Sequence, residues 1–241
     1  MVRLTIDRRE LQAEEGETIL EVARENGIYI PALCYHEEVS PYGACRLCMV
    51  EATQKGKTKV VASCLYPVAE GLSVKTDSPR ISNVRRTAIE LLLARCPDSE
   101  VIQEMAREIG VEKPSFNTDN DKHKCILCAL CTRVCEEVVG VSAISLVNRG
   151  VDRQMATPFF DCSEACIGCG SCAYVCPTNA ISFEDVGDKR VIKMPNVSME
   201  FKLKKCSKCG KYWAPERQLD YIAREAGLAP EAFDVCPDCR D

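Results

Sequence analysis

The fold is decided by two segments, CILCALCTRVC at residues 125–135 and CIGCGSCAYVCP at residues 166–177. Both have the spacing C-x2-C-x2-C-x3-C, which is typical of 4Fe-4S cluster ligation. Each copy is followed by a similar stretch that we predict to be a strand, at 142–145 and at 179–182. A specific spacing that occurs twice in one chain indicates an internal duplication.

The duplicated segment resembles the bacterial two-cluster ferredoxins. In that family three cysteines of one copy bind a cluster together with the fourth cysteine of the other copy, because the following helix carries that fourth residue away. The resemblance implies two 4Fe-4S clusters, one held by Cys125, Cys128, Cys131 and Cys176 and the other by Cys166, Cys169, Cys172 and Cys135. Glu136 follows Cys135 where the family pattern has proline, so we expect a different local loop there.

The N-terminal segment has the pattern of a small α+β unit. Alternating apolar residues predict strands at 2–7 and 10–13, joined by a hairpin turn at Arg8-Arg9. A capping box precedes a predicted helix over 19–26. Strand, strand and helix, followed by a loop with cysteines, is the order of a β-grasp ferredoxin.

Two further strands are predicted at 49–53 and 60–63. Gly56 lies between them, and we interpret it as a hairpin turn rather than as part of a phosphate-binding loop, because the first glycine of that motif is replaced by Glu51. The cysteines of this unit have the spacing C-x10-C-x2-C-x15-C and are Cys34, Cys45, Cys48 and Cys64.

This spacing and its context, PALCYHEEVSPYGACRLCMVE at 31–51, resemble the N-terminal domain of the iron–sulfur subunits of NADH dehydrogenase and NAD-linked hydrogenases. The resemblance implies that the four cysteines hold a 2Fe-2S cluster. Helices are predicted at 79–96 and 100–110, and many relatives carry a further cluster, bound by one histidine and three cysteines, just after the first of these helices. Only Cys96 occurs there, so we expect that cluster to be absent and Cys96 to be a packing residue.

Three other residues could be ligands by their position. Cys162 lies four residues before Cys166 and is surplus to the motif, and we predict that it is a core thiol. His36 and His123 lie two residues from Cys34 and Cys125, but both cysteine sets are already complete. We therefore expect both histidines to be solvated or to contact ligands without binding metal.

The C-terminal region contains two CxxC pairs separated by 26 residues, with a predicted helix at 216–226 between them. Such pairs suit tetrahedral zinc, which we favour, although four thiolates also suit iron or a further cluster. The candidate ligands are Cys206, Cys209, Cys236 and Cys239.

Composition limits the classes of function. Eighteen cysteines among 241 residues, without a signal-peptide pattern, indicate metal ligation in a reducing, cytoplasmic compartment. The net charge of −5 gives no basic surface for nucleic acid, and no apolar run is long enough for a membrane span. No nicotinamide fingerprint, Ser/His/Asp set or HExxH motif occurs, so we expect no catalytic site in this chain.

The predicted fold class is α+β with four parts: a 2Fe-2S domain (1–78), a helical bridge (79–118), a two-cluster domain (119–195) and a C-terminal zinc-ribbon-like or cluster domain (196–241). The resemblance implies an electron-transfer subunit of an NAD(H)-linked complex. Its partners would be a flavoprotein that oxidises NAD(H) and a hydrogenase, formate dehydrogenase or similar catalytic subunit, with soluble ferredoxin as a further acceptor. The resemblance is also compatible with a complex that bifurcates electrons.

Three other classes of protein also combine several cysteine motifs in one chain. The iron–sulfur subunits of succinate and fumarate oxidoreductases have the same order of clusters, but their first cysteine block is tighter. A free-standing polyferredoxin would carry the same clusters and purify as a monomer. A zinc-rich structural or nucleic-acid-binding scaffold would be colourless, and the ferredoxin duplication argues against it.

Overall fold

The computed structural model describes residues 1–118 and 124–240, and it divides into two compact units, Met1–Ala129 and Leu130–Asp241. The predicted site residue His123 lies outside the described residues. All eighteen cysteines are free of disulfide bonds.

The first unit is built on a five-stranded mixed sheet with the strand order β2-β1-β5-β3-β4. Strands β1 and β5 are parallel and the other neighbours are antiparallel. The elements of this unit are β1 (Val2–Ile6), β2 (Arg9–Ala13), α1 (Ile19–Glu25), β3 (Met49–Gln54), β4 (Lys57–Ala62), β5 (Leu72–Lys75), α2 (Pro79–Arg95) and α3 (Glu100–Glu108).

Both hairpins of this sheet turn through two residues with positive φ, the geometry that matches strand twist. The turn between β3 and β4 is Lys55-Gly56, which confirms the interpretation of Gly56. The turn between β1 and β2 is Asp7-Arg8, one residue earlier than predicted, because Ile6 pairs directly with Arg9.

Helix α1 begins with the predicted capping box. The Thr18 side chain accepts a hydrogen bond from the backbone of Glu21, whose carboxylate in turn accepts from the Thr18 backbone. The helix buries Ile19, Leu20 and Val22 in one core with Leu4, Ile6, Val50 and Leu72 of the sheet. Strand β5 was not predicted, although its alternating buried and exposed residues fit a half-buried strand.

The second unit contains a four-stranded antiparallel sheet, β11-β10-β9-β8, and a separate hairpin of β6 and β7. Its elements are α4 (Leu130–Arg133), a π-helix (Val134–Val138), β6 (Ser145–Val147), β7 (Gln154–Ala156), α5 (Ser171–Tyr174), β8 (Ser182–Val186), β9 (Lys189–Lys193), β10 (Ser198–Lys205), β11 (Tyr212–Pro215) and α6 (Glu216–Ala226). Short 3-10 turns lie at Gly150–Asp152, Pro158–Phe160, Pro230–Phe233 and Pro237–Cys239.

The four-stranded sheet spans the predicted domain boundary at residue 195. Strand β9 lies before that position and β10 after it, and the two strands pair along five residues each. Met199 and Phe201 of β10 are buried in one core with Cys135 and Cys172 of the duplicated segment. The C-terminal region thus shares a core with residues of both copies of the motif.

Among the described residues, no helix combines the length and the apolar character needed to cross a membrane.

Candidate metal centres

The four N-terminal cysteines lie together in the first unit, and all are buried. The Sγ atoms of Cys48 and Cys64 are 3.4 Å apart, and the Cys45 backbone N–H donates to the Cys34 Sγ at 3.4 Å. The loop that carries Cys45 and Cys48 leads directly into β3, and Cys64 follows β4. Antiparallel pairing of these two strands therefore brings Cys48 and Cys64 to the same end of the hairpin.

Hydrogen bonds join these four thiols in two pairs. The bond with Cys34 lowers the pKa of Cys45 to about 6, and the bond with Cys64 lowers the pKa of Cys48 to about 6. The same hydrogen bonds raise the pKa of Cys34 and Cys64. Each pair therefore favours one thiolate and one thiol, and positively charged iron would favour the thiolate form of all four sulfurs.

Residues outside the cysteine set hold this loop. Arg85 of α2 donates from Nε to the Leu47 carbonyl at 3.0 Å and from Nη2 to the Met49 carbonyl at 2.9 Å. Arg85 was not among the predicted site residues, although it lies four residues from both Ile81 and Ile89 and so shares the buried face of α2. Burial lowers its pKa, but a guanidinium stays charged.

Glu21 of the α1 capping box also contacts the residue next to Cys34. Tyr35, next to Cys34, donates its hydroxyl to Glu21 Oε1 at 3.0 Å, and the Arg24 guanidinium lies 4.7 Å from the centre of its ring. The neighbouring His36 accepts a hydrogen bond at Nδ1 from the Glu38 backbone at 3.2 Å. These contacts fix the segment that delivers Cys34.

In the second unit, four thiols from the two copies of the motif line one cavity: Cys135, Cys166, Cys169 and Cys172. Apolar Ile144 and Ile192 also line it. Burial raises the pKa of Cys166 to about 11 and that of Cys172 to about 12. This is the grouping that the resemblance to two-cluster ferredoxins implies, with Cys135 supplied by the other copy.

The duplication is visible in the backbone around the fourth cysteine of each copy. The Ala143 backbone N–H donates to the Cys135 Sγ at 3.2 Å, and the Ala180 backbone N–H donates to the Cys176 Sγ at 3.2 Å. The two alanines stand eight and four residues after their cysteines. The first copy has four more residues in this interval, and Cys135 lies in a π-helix, Val134–Val138, which the second copy does not have at Cys176; the local structure around Cys135 thus differs as expected.

The strands predicted after each copy begin later than expected. They start at Ser145 and Ser182, the last residue of each predicted range. The residues before them are irregular because Ser142 and Asn179 have positive φ and the following alanines donate to sulfur instead of to a neighbouring strand.

The remaining cubane set, Cys125, Cys128, Cys131 and Cys176, has two members in each unit, so its grouping remains a prediction. Cys96 is buried, as predicted for a packing residue, and its Sγ donates to the Cys125 carbonyl at 3.2 Å. The prediction for Cys162 was wrong. Its side chain is exposed, because the adjoining turn at Pro158–Phe160 lies on the surface.

The four C-terminal cysteines lie close together in the second unit. The sulfurs of Cys206, Cys209, Cys236 and Cys239 all lie within 4.8 Å of one another. Backbone N–H groups of Cys209 and Cys236 lower the pKa of Cys206 to about 6. Zinc–sulfur bonds of about 2.3 Å place tetrahedral ligands about 3.8 Å apart, and the Cys209 and Cys236 sulfurs are 3.8 Å apart.

Two models of iron–sulfur domains match this chain. Residues 1–79 match the family described as a 2Fe-2S iron-sulfur cluster binding domain. Residues 124–180 and 165–239 match a 4Fe-4S dicluster domain, and the second match extends through the C-terminal cysteines.

Several complete proteins are also similar. One NADH-quinone oxidoreductase subunit of Rhizobium meliloti is 32% identical over 75% of this chain, and the NADP-reducing hydrogenase subunit HndD of Solidesulfovibrio fructosivorans is 34% identical over 75%. This chain spans only 24% and 36% of those proteins. One chain in a crystal structure of an NAD⁺-reducing [NiFe]-hydrogenase is also similar, with a TM-score of 0.57 and 32% identity. The match covers 65% of this chain and 74% of the hydrogenase chain. The chain belongs to the family of iron–sulfur subunits of NAD(P)-linked oxidoreductases and hydrogenases.

Proposed function

We propose that this chain is an electron-transfer subunit that carries one 2Fe-2S cluster, two 4Fe-4S clusters and one zinc ion. The observation that supports it most strongly is the cavity lined by Cys135, Cys166, Cys169 and Cys172, because it combines cysteines from both copies of the motif. Four convergent thiols with apolar neighbours fit a buried cubane.

The other ligand sets follow the same reasoning. Cys34, Cys45, Cys48 and Cys64 would hold the 2Fe-2S cluster, which needs two thiolates for each iron. Cys125, Cys128, Cys131 and Cys176 would hold the first cubane. The hydrogen bond from Ala180 to the Cys176 sulfur, which repeats that from Ala143 to Cys135, supports an equivalent role for the two crossing cysteines.

For the C-terminal group we propose a single zinc ion rather than a fourth cluster. A cubane binds each thiolate at a different iron, so its ligands stand further apart than the ligands of one ion. Sulfurs that all lie within 4.8 Å of one another fit the single ion better. The zinc would be structural, since four protein ligands leave no open position.

The proposed domains are those expected from the sequence, 1–78, 79–118, 119–195 and 196–241, with the last two joined through the β9–β10 pairing. The proposed location is the cytoplasm, because a chain with this many free thiols needs a reducing compartment.

The proposed partners come from the family. Its members named above belong to NADH-quinone oxidoreductase, an NADP-reducing hydrogenase and an NAD⁺-reducing hydrogenase. This chain would relay electrons between a flavoprotein that reacts with NAD(H) and a hydrogenase, formate dehydrogenase or similar catalytic subunit, or a soluble ferredoxin. The clusters supply the redox chemistry, and the protein supplies their positions and potentials.

The test is to purify the chain anaerobically with the proteins bound to it and to add NADH or NADPH. We expect low-temperature EPR to show reduced clusters in the complex, whereas the isolated chain should be reduced by dithionite but not by the nucleotides. A chain that purifies as a monomer, and whose clusters respond only to dithionite, would contradict the subunit role and indicate a free polyferredoxin.

A further inference from the structure

The loop at 166–172, which carries three of the proposed ligands of the second cubane, packs closely against the four-stranded sheet. Gly168 and Gly170 both have positive φ. A Cβ on Gly168 would lie 2.6 Å from the Cγ of Phe201, and one on Gly170 would lie 3.1 Å from the Cδ1 of Phe183. The loop therefore approaches two aromatic rings as closely as glycine allows.

Arg190 of β9 donates hydrogen bonds to this loop. Its Nη1 donates to the carbonyl oxygens of Gly168 at 3.3 Å and Cys169 at 3.4 Å. Two further hydrogen bonds, at 2.7 and 2.9 Å, join its guanidinium to the carboxylate of Asp185, and the ring of Phe183 lies 4.7 Å away. The side chain is only 11% exposed. These contacts leave Arg190 little freedom to move.

Arg217 of α6 binds the beginning of the same loop. Its Nη1 donates to the carbonyl oxygens of Ser163 and Cys166, both at 3.5 Å, and its guanidinium carbon lies 5.9 Å from the ring centre of Phe201. Helix α6 lies between the two CxxC pairs of the C-terminal group. The segment that would bind zinc thus places a positive charge beside the loop.

The direction of the hydrogen bonds from the two arginines determines where the neighbouring backbone N–H groups point. A trans peptide is planar, so a carbonyl that points toward an arginine turns the N–H of the next residue the opposite way. The carbonyls of Cys166, Gly168 and Cys169 all point toward an arginine. Hydrogen bonds to the sulfurs and nearby net charge are two of the factors that set cluster potentials.

We propose that Arg190 and Arg217 are positioning residues for the second cubane, which hold its ligand loop by the carbonyls and raise its reduction potential. The inference rests on the proposed function, since it requires a cluster at Cys135, Cys166, Cys169 and Cys172. Reduction adds a negative charge, which the guanidinium groups of the largely buried Arg190 and the exposed Arg217 stabilise. Neither residue belongs to the cysteine motif.

The test uses the full chain and four single variants. Arg190→Met and Arg217→Met each remove one proposed contact. Lys193→Met and Arg224→Met are matched controls, because they remove one positive charge from the same strand and the same helix. Lys193 pairs with Glu184 and Arg224 with Glu225, and both are largely exposed.

The measurement is an anaerobic redox titration followed by EPR. For each arginine variant we expect one 4Fe-4S signal to move to lower potential, with about a tenfold shift of the one-electron equilibrium toward the oxidised form, which is about 59 mV. The controls should stay close to the wild type. Equal shifts in all four variants, or no shift in the arginine variants, would overturn the inference.

If a methionine variant loses the cluster, Arg190→Lys and Arg217→Lys test the positioning role, because lysine keeps the positive charge and an ammonium donor group. Recovery of the four iron atoms in the lysine variants would support the positioning role, and their continued loss would refute it. Absence of any 4Fe-4S signal from the wild type would instead contradict the proposed function.

Discussion

Replacing Gly168 by alanine should loosen the second cubane selectively. The new Cβ would lie 2.6 Å from the Phe201 Cγ and 2.9 Å from both Cδ atoms of that ring. Phe201 is buried and its Cγ is only two bonds from Cα, so a rotation of the side chain cannot easily remove the overlap. Alanine would also be strained, because the φ of Gly168 is +73°.

The expected cost has two parts. The left-handed backbone costs about 1–2 kcal/mol for a residue with a Cβ. Overpacking against Phe201 adds about 1–3 kcal/mol. Gly187 is the matched control, because its φ is +62° but nothing lies within 4 Å of an added Cβ. Gly187→Ala therefore carries the strain without the overlap.

The assay measures the release of iron to an excess of chelator under anaerobic conditions. The rate is monitored by the loss of the visible absorbance of the clusters. Where loop opening is fast relative to chelation, the rate follows the population of the open state. The overlap of about 1–3 kcal/mol then corresponds to about 5- to 150-fold faster release from Gly168→Ala than from Gly187→Ala. About four iron atoms should leave in this fast phase. Equal rates for the two variants, or acceleration of all iron, would refute the reasoning.

Three further predictions address the other sites. Arg85→Met should destabilise the first unit by about 2 kcal/mol, measured by urea unfolding, because two loop carbonyls lose a charged donor; the exposed Arg80→Met should have little effect. Hydrogen bonds from Thr18 and Tyr35 outweigh burial, which alone would raise the pKa, and hold the pKa of Glu21 below its ordinary value of 4.5. The contribution of the Glu21 carboxylate to stability is therefore present above pH 4.5 and lost as the pH falls through the lower folded pKa. Glu21→Gln should remove that part of the pH dependence of the unfolding free energy. An unchanged pH dependence in this variant would contradict the role of Glu21. Cys209→Ser should lose zinc, measured by metal analysis, and retain the iron; loss of iron alone would contradict a zinc site.

The sequence predicted the features that depend on local spacing. The hairpin at Gly56, the capping box of α1 and the helix at 216–226 all occur where the pattern placed them. The four C-terminal cysteines also converge as expected, because each CxxC pair brings two thiols to one side of a turn. These features are encoded by neighbouring residues, so a single sequence is sufficient to find them.

Features that depend on distant packing were not predictable in the same way. The burial of Arg85 depends on the carbonyls of a loop 36 to 38 residues earlier in the chain. The domain boundary predicted at residue 195 was placed by the change of cysteine motif, but β9 and β10 pair across it. Strand pairing follows the apolar pattern of the strands and not their metal ligands. Cys162 was predicted to be a core residue by its type, but the surface position of its turn exposes it.

The central claim is tested most directly by anaerobic analysis of iron, acid-labile sulfide and zinc in the purified full chain. Clusters of two, four and four irons with one structural ion predict about ten iron atoms, about ten sulfides and one zinc for each chain. Zinc without iron or sulfide would contradict the electron-transfer account. About twelve to fourteen irons without zinc would contradict the single-ion assignment and make the C-terminal group a further cluster.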